Sequence, residues 1–258
     1  MAVLIGDFTI GGIDHAADAT IADLTSATMI LWIRPTNVAQ TFRTIAHKLS
    51  TWPSGWVMFR DNNTAGIINL DVPGNTNYLQ IHAASGTLSA GVDHFVAFTW
   101  AIANAATANH LYVGTPTTAP VEASYVTRTA WAGTRNSDSA LSVRVGNNHA
   151  NDNSSPASYS AFAIWDRELT LPEIIQQYKR LHRTQGNVLL THYGIHGASG
   201  VGTQQDWSGN GNHGTIVTGA TKTDHAPIQI FPRPRNYWAG WAAAGYPGPF
   251  PLSRPVFN

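Results

Sequence analysis

The sequence contains no cysteine, which excludes disulfide frameworks, cysteine-ligated zinc or iron–sulfur sites, and cysteine nucleophiles. Charged residues are scarce, at 12% of the chain, where about a quarter is usual. The 15 basic and 15 acidic side chains balance, so no positive field favours nucleic acid or a membrane surface as partner. No apolar run approaches the roughly 18 residues of a membrane-spanning helix, so we expect no membrane insertion.

Two further absences concern location and assembly. Residues 1–10 lack the basic region and the cleavage site of a secretory signal, so we expect a location reached without one, such as a virion or the medium after lysis. A surface with few charges resists association poorly, which is a liability for a free monomer and harmless inside an assembly. The composition therefore favours a protein that associates with copies of itself or with other proteins.

Short runs of β-branched and aromatic residues, separated by Gly, Asn, Asp and Pro, follow one another along the first two thirds of the chain. They predict strands at Thr28–Arg34, Thr41–Leu49, Trp56–Asp61, Gly66–Val72, Tyr78–Ala83, His94–Trp100, His110–Val113, Tyr125–Trp131, Leu141–Val145 and Ser158–Trp165. Regular strand spacing without an intervening helical pattern predicts an all-β antiparallel β-sandwich. One segment differs: Thr170 and Glu173 form a capping box, which predicts a short amphipathic helix that ends near Gly186.

The last segment, residues 226–258, has its own composition, and we refer to it as the C-terminal arm. It holds seven of the chain's 14 prolines, interleaved with aromatic residues that include Phe231, Tyr237, Trp238, Trp241, Tyr246 and Phe250. Proline removes the donors of a sheet ladder, so the arm is predicted to be extended, and its aromatic content predicts that it binds a groove. The groove belongs either to its own sandwich, residues 1–225, or to a neighbouring molecule.

Several of these segments also resemble a known family. Residues 160–175, SAFAIWDRELTLPEII, are similar to its closing strand followed by an aromatic residue, an arginine and Leu-(Ser/Thr)-x-x-Glu-Ile, and His94–Trp100 with His110–Val113 resembles an earlier strand pair. The family is the laminin-G-like, concanavalin-A-like jelly roll, and the resemblance covers about residues 20–183. It implies a jelly roll with one short helix, to which the extended C-terminal arm is added, and its phage or virion-associated members are those this chain most resembles.

A second piece of the resemblance stands out of order. Residues 206–215, DWSGNGNHGT, resemble a family segment that precedes the sandwich in most relatives, whereas here it follows the helix. The first and last strands of a jelly roll lie close together, so we expect this segment to occupy the same place in the fold.

The sequence does not support catalysis or a preformed metal centre. Related glycoside hydrolases need paired carboxylates, but the glutamates are Glu122, Glu168 and Glu173, none with a suitable partner, so we predict that the protein is not an enzyme. The 11 histidines are scattered and are interpreted as hydrogen-bonded structural groups. Calcium is the one cofactor with candidate ligands, at Asp61, Asn147 and Asp152, and ordinary Asx turns are the alternative.

Aromatic side chains at loop or strand edges offer the other candidate site. Trp52, Trp56 and Trp131 could stack on sugar rings, as lectin sites of the family do, or could pack in the core. Two functions therefore stay open. The first is a non-catalytic structural protein, most naturally a capsid-decoration or tail-associated virion component that forms homo-oligomers through the arm. The second is a lectin-type carbohydrate-binding module or adhesin that recognises cell-surface glycans.

Overall fold

The fold was analysed in a computed structural model that describes residues 2–5, 11–39, 42–49, 51–60, 66–150, 153–179, 188–193, 203–217 and 220–223. These residues form seventeen strands and one α-helix. The first nine strands are β1 (Ala2–Ile5), β2 (Gly12–His15), β3 (Ser26–Pro35), β4 (Arg43–Lys48), β5 (Trp56–Arg60), β6 (Asn69–Val72), β7 (Leu79–Ala83), β8 (His94–Ala101) and β9 (His110–Thr115). The others are β10 (Thr118–Glu122), β11 (Tyr125–Thr129), β12 (Val143–Val145), β13 (Ala157–Trp165), β14 (Val188–Tyr193), β15 (Thr203–Gln204), β16 (Gly214–Val217) and β17 (Ala220–Thr223), and helix α1 spans Leu171–Lys179.

The strands form two antiparallel sheets. The first sheet has the order β10-β9-β8-β3-β13-β1-β17, with β14 paired to the second half of β13. The second sheet has the order β11-β7-β6-β5-β4-β12-β2-β16-β15. All ten predicted strands are present, with ends shifted by a few residues, so the predicted jelly-roll sandwich is confirmed.

The main core lies between the two sheets and contains alternate residues of both, among them Met29, Leu31, Met58, Leu70 and Phe98. A second apolar cluster lies on the opposite face of the first sheet, where Trp32, Phe95 and Trp165 pack against Ile174 and Tyr178 of α1. The first sheet is therefore buried on both faces at its centre, which explains its nearly continuous apolar strands. The outer face of the second sheet carries both polar side chains, such as His47 and Asp71, and apolar ones, such as Val57 and Phe59.

Helix α1 begins as the capping box predicts. The backbone N–H of Thr170 donates to Glu173 Oε2 at 2.8 Å, and the Arg167 guanidinium donates to both carboxylate oxygens of Glu173, at 2.8 and 3.1 Å. The helix is described as far as Lys179, so the predicted end near Gly186 lies outside the described residues. Within the described part of the chain, no helix is long and apolar enough to cross a membrane.

The segment that stands out of order in the sequence joins the N-terminal strands. Strand β16 pairs with β2, and β17 pairs with β1. Internal hydrogen bonds stabilise the turn before β16. The Asp206 carboxylate accepts the backbone N–H groups of Ser208 and Asn212 at 2.8 and 2.9 Å. The Asn212 side chain donates to Leu189 O at 2.8 Å. This motif therefore has a structural role, consistent with its interpretation as a turn.

Candidate functional site

A groove of about 490 Å³ lies on the outer face of the second sheet, over strands β4, β5 and β6. Its apolar lining consists of Phe42, Leu49, Trp52, Val57 and Phe59. Its polar lining consists of Thr44, His47, Asp71, Asn148, His149 and Asn153. An apolar groove with a few convergent polar groups is the usual form of a binding site for a small molecule or an oligosaccharide.

The register of the three strands places these side chains on one face. His47 lies opposite Val57, and Val57 lies opposite Asp71. Because successive side chains of a strand point to opposite faces, the intervening row turns inward. That row consists of Ala46, Met58 and Leu70, all of which are buried in the main core.

Two stacked aromatic pairs border the groove. The rings of Trp52 and Tyr78 stack with their centroids 4.8 Å apart and their planes 20° apart. The rings of Phe42 and Phe59 stack at 5.6 Å and 14°. Trp52, Tyr78 and Phe42 are all exposed, so solvent reaches both pairs. Exposed rings held by a second ring offer rigid apolar faces at a low cost in conformational entropy.

Histidines form much of the polar surface between the aromatic pairs. His82 Nε2 lies 2.7 Å from Asp71 Oδ1, beside the groove. The rings of His47 and His149 are in contact, with centroids 4.2 Å apart, and His149 Nε2 lies 2.7 Å from Ser142 Oγ. Burial, together with the charges of His149 and Arg144, lowers the pKa of His47 to about 3, so its ring is neutral at physiological pH.

The three tryptophans predicted to stack on sugars have different environments. Trp52 lines the groove and is 47% exposed. Trp56 is 1% exposed and packs in the main core, so its predicted role as a sugar platform is wrong: it occupies an inward position of β5. Trp131 is half-buried against the core, and its Nε1 donates to Pro73 O at 3.0 Å, away from the groove lining.

The predicted calcium ligands are only partly within the described residues. Asp61 and Asp152 lie outside them. The side-chain oxygen of Asn147 accepts the backbone N–H groups of Asn148 and Asn153, at 2.8 and 3.2 Å. Among the side chains that the structure describes, no group of three His, Asp or Glu residues is placed to hold a metal ion. Calcium binding stays a prediction.

The predicted residues of the C-terminal arm, from Phe231 to Phe250, also lie outside the described residues. Sequence reasoning missed Phe42, His47, Phe59, Asp71 and Tyr78 as groove or bordering residues. One signal was available for Phe59: it alternates with the inward Met58 in a strand of a one-sided sheet, so an aromatic side chain had to face outward.

Two antiparallel sheets packed face to face, with a groove bordered by aromatic rings on one outer face, define a β-sandwich of the lectin type. Residues 11–175 match the family described as the concanavalin A-like lectin/glucanases superfamily, and the chain belongs to that family. A comparison with curated proteins found no match.

Solved structures share the fold at low sequence identity. A "putative carbohydrate binding protein" from Bacteroides ovatus ATCC 8483 aligns with a TM-score of 0.56 and 13% identity over 86% of this chain, which spans 60% of that structure's length. A heptameric SAP-like pentraxin from Limulus polyphemus aligns with a TM-score of 0.52 and 12% identity, over 88% of this chain and 97% of the pentraxin. These similarities show the fold alone.

Proposed function

We propose that this protein is a non-catalytic glycan-binding protein and that its binding site is the groove over β4, β5 and β6. The observation that carries the proposal is the pair of aromatic stacks, Trp52 with Tyr78 and Phe42 with Phe59, at the border of a surface rich in polar side chains. Sugar rings present apolar C–H faces and a rim of hydroxyl groups, so they need aromatic platforms and hydrogen-bonding groups together. The aligned Bacteroides structure, described as a "putative carbohydrate binding protein", is in keeping with this function.

The carboxylates of the groove favour binding over hydrolysis. Glycoside hydrolases use two carboxyl groups about 5 to 10 Å apart, one on each side of the scissile bond. Among the described residues that line the groove, Asp71 is the one carboxylate, and it is held 2.7 Å from His82. A single carboxylate cannot supply both the acid and the base or nucleophile.

Substitution of Trp52 tests the proposal. Trp52→Ala should weaken binding to any glycan that the protein recognises on an array by about tenfold or more, because it removes a stacking platform. Trp207→Ala is the matched control, since Trp207 is also 47% exposed but does not line the groove. Affinities are measured by isothermal titration calorimetry on variants with unchanged thermal unfolding. Equal losses in both variants, or a folded protein that binds no glycan, would contradict the proposal.

The composition of the C-terminal arm favours a second function, that of a structural assembly protein. Seven of 14 prolines and a dense set of aromatics lie in a chain that carries few charges to oppose association. We propose that the arm contributes to homo-oligomers, and that such an assembly is part of a virion, where glycan binding would serve attachment. The heptameric pentraxin is an example of an oligomer built from this fold.

A further inference from the structure

We infer that the groove takes glycans that carry no carboxylate, sulfate or phosphate group, and that Asp71 is the residue that discriminates against anionic glycans. This inference rests on the proposed function, because it concerns the ligand of the same groove. The observation behind it is that the described residues lining the groove include one carboxylate, that of Asp71, and no lysine or arginine.

The first step concerns the carboxylate. Asp71 lies on β6, opposite Val57 of β5, and its Oδ1 lies 2.7 Å from His82 Nε2. A sugar hydroxyl can donate to a carboxylate, whereas a ligand anion close to Asp71 is repelled, and the repulsion is strengthened by the low dielectric of a partly buried surface.

The second step concerns cations. None of the described lining residues is a lysine or an arginine. Recognition of carboxylate, sulfate or phosphate groups in proteins normally relies on arginine or lysine, which the described lining of this groove does not supply.

The third step concerns the charged and titratable groups beside the groove. Arg144 influences the pKa of His47. Its guanidinium donates to Asp14 Oδ2 at 2.6 Å and to Asn148 O, in a residue that lines the groove, at 3.1 Å. The pair of Arg144 and Asp14 adds no net positive charge. His47 is neutral as well, because burial lowers its pKa to about 3. Apart from His82, its direct partner, these groups leave the charge of Asp71 uncompensated.

The test uses an array and calorimetry with matched pairs, each a neutral glycan and its sialylated, uronate-containing or sulfated counterpart. Binding is measured at about pH 8, where histidines are mostly neutral. The wild-type protein should bind the anionic member of each pair about tenfold more weakly. Asp71→Asn, which keeps the shape of the side chain, should reduce the ratio of the two affinities, neutral to anionic, to about threefold or less. Asp166→Asn, an exposed carboxylate on the far side of the sandwich, should leave the ratio unchanged.

A second measurement does not depend on the variant's folding. Raising the NaCl concentration from about 0.05 to about 0.5 M should bring the affinities of the wild-type protein for the neutral and anionic members closer together, because salt screens the repulsion. Equal or tighter binding of the anionic members, or a ratio that neither salt nor Asp71→Asn changes, would overturn this inference while leaving glycan binding intact. Binding to no glycan at all would instead overturn the proposed function.

Discussion

Lys48 and Asp138 form an ion pair that solvent barely reaches, with side-chain exposures of 0% and 2% and a separation of 2.8 Å. Lys48 Nζ also donates to Ile21 O, and Asp138 Oδ1 accepts the backbone N–H of Asp23, so the pair links β4 to two loops. Removing one partner of a buried ion pair leaves the other charge without compensation. Lys48→Met should therefore lower the free energy of unfolding by about 3 to 5 kcal/mol.

Urea denaturation of the two lysine variants checks this value. Lys179→Met is the control, because Lys179 is exposed at the end of α1 and its replacement should change the stability by no more than about 0.5 kcal/mol. A loss of stability in Lys48→Met as small as that in Lys179→Met would mean that the buried pair contributes little to the stability.

At the same scale, the sequence could identify tryptophans but could not assign their roles. Trp52 and Trp56 are four positions apart, yet one is exposed in the groove and the other is buried in the core. Trp56 occupies an inward position of β5, whereas Trp52 lies in the loop before that strand. The sequence does not show where the loop ends, because the pattern of Trp56–Arg60 is apolar at both alternations as far as Phe59. The role of His47 could not be predicted either, because the neighbours of a histidine in a strand are known only once the pairing of the strands is known.

At the scale of single elements, the start of α1 makes stability depend on pH. The Arg167 guanidinium, aided by the Thr170 N–H group, lowers the pKa of Glu173 from its ordinary value of 4.5 to about 2. A carboxylate with a lowered pKa stabilises the fold fully above its unfolded pKa and loses that contribution as the pH falls through its folded pKa. Glu173→Gln should thus cost about 1 kcal/mol at pH 7 and progressively less between pH 4.5 and about 2.

Chemical denaturation of wild type and variant over that pH range measures the difference. Asp166→Asn is the control, because it removes an exposed carboxylate from the residues that lead into α1. It should have almost no effect on the free energy of unfolding at pH 7. A constant difference between Glu173→Gln and wild type at every pH would show that the loss comes from packing and not from charge.

The elements that sequence could predict are those with a strong local signal. The long strands β3, β8 and β13 are apolar and β-branched because both faces are covered, and α1 carries its capping box. The short strands β1, β2, β10 and β14–β17 were not predicted. Strands β1, β2 and β15–β17 have four residues or fewer, and β10 contains Pro120, so all six are stabilised mainly by neighbours distant in sequence. Strand β14 has six residues that favour a strand, and it was missed in spite of that signal.

At the scale of the whole molecule, the strands from the later part of the chain pair beside the N-terminal strands in both sheets. Strand β1 lies between β13 and β17 at one end of the first sheet, while β16 extends the second sheet beyond β2. Strands β16 and β17, which follow the helix in sequence, thus lie beside the N-terminal strands β2 and β1. Pairing, and not position along the chain, determines where these strands fold.

This arrangement of the strands allows the C-terminal arm to be tested alone. A chain that ends at His225 keeps every described strand, so it should fold and retain its glycan affinity. If the arm joins subunits, light scattering should give a multiple of 27.8 kDa for the full chain and a monomer for the shortened one. Trp238→Ala with Trp241→Ala in the full chain should weaken association, whereas Trp52→Ala, outside the arm, should not. Equal oligomeric states of the full and shortened chains would show that the aromatic and proline-rich segment does not join subunits, and the assembly proposal would then lose its support.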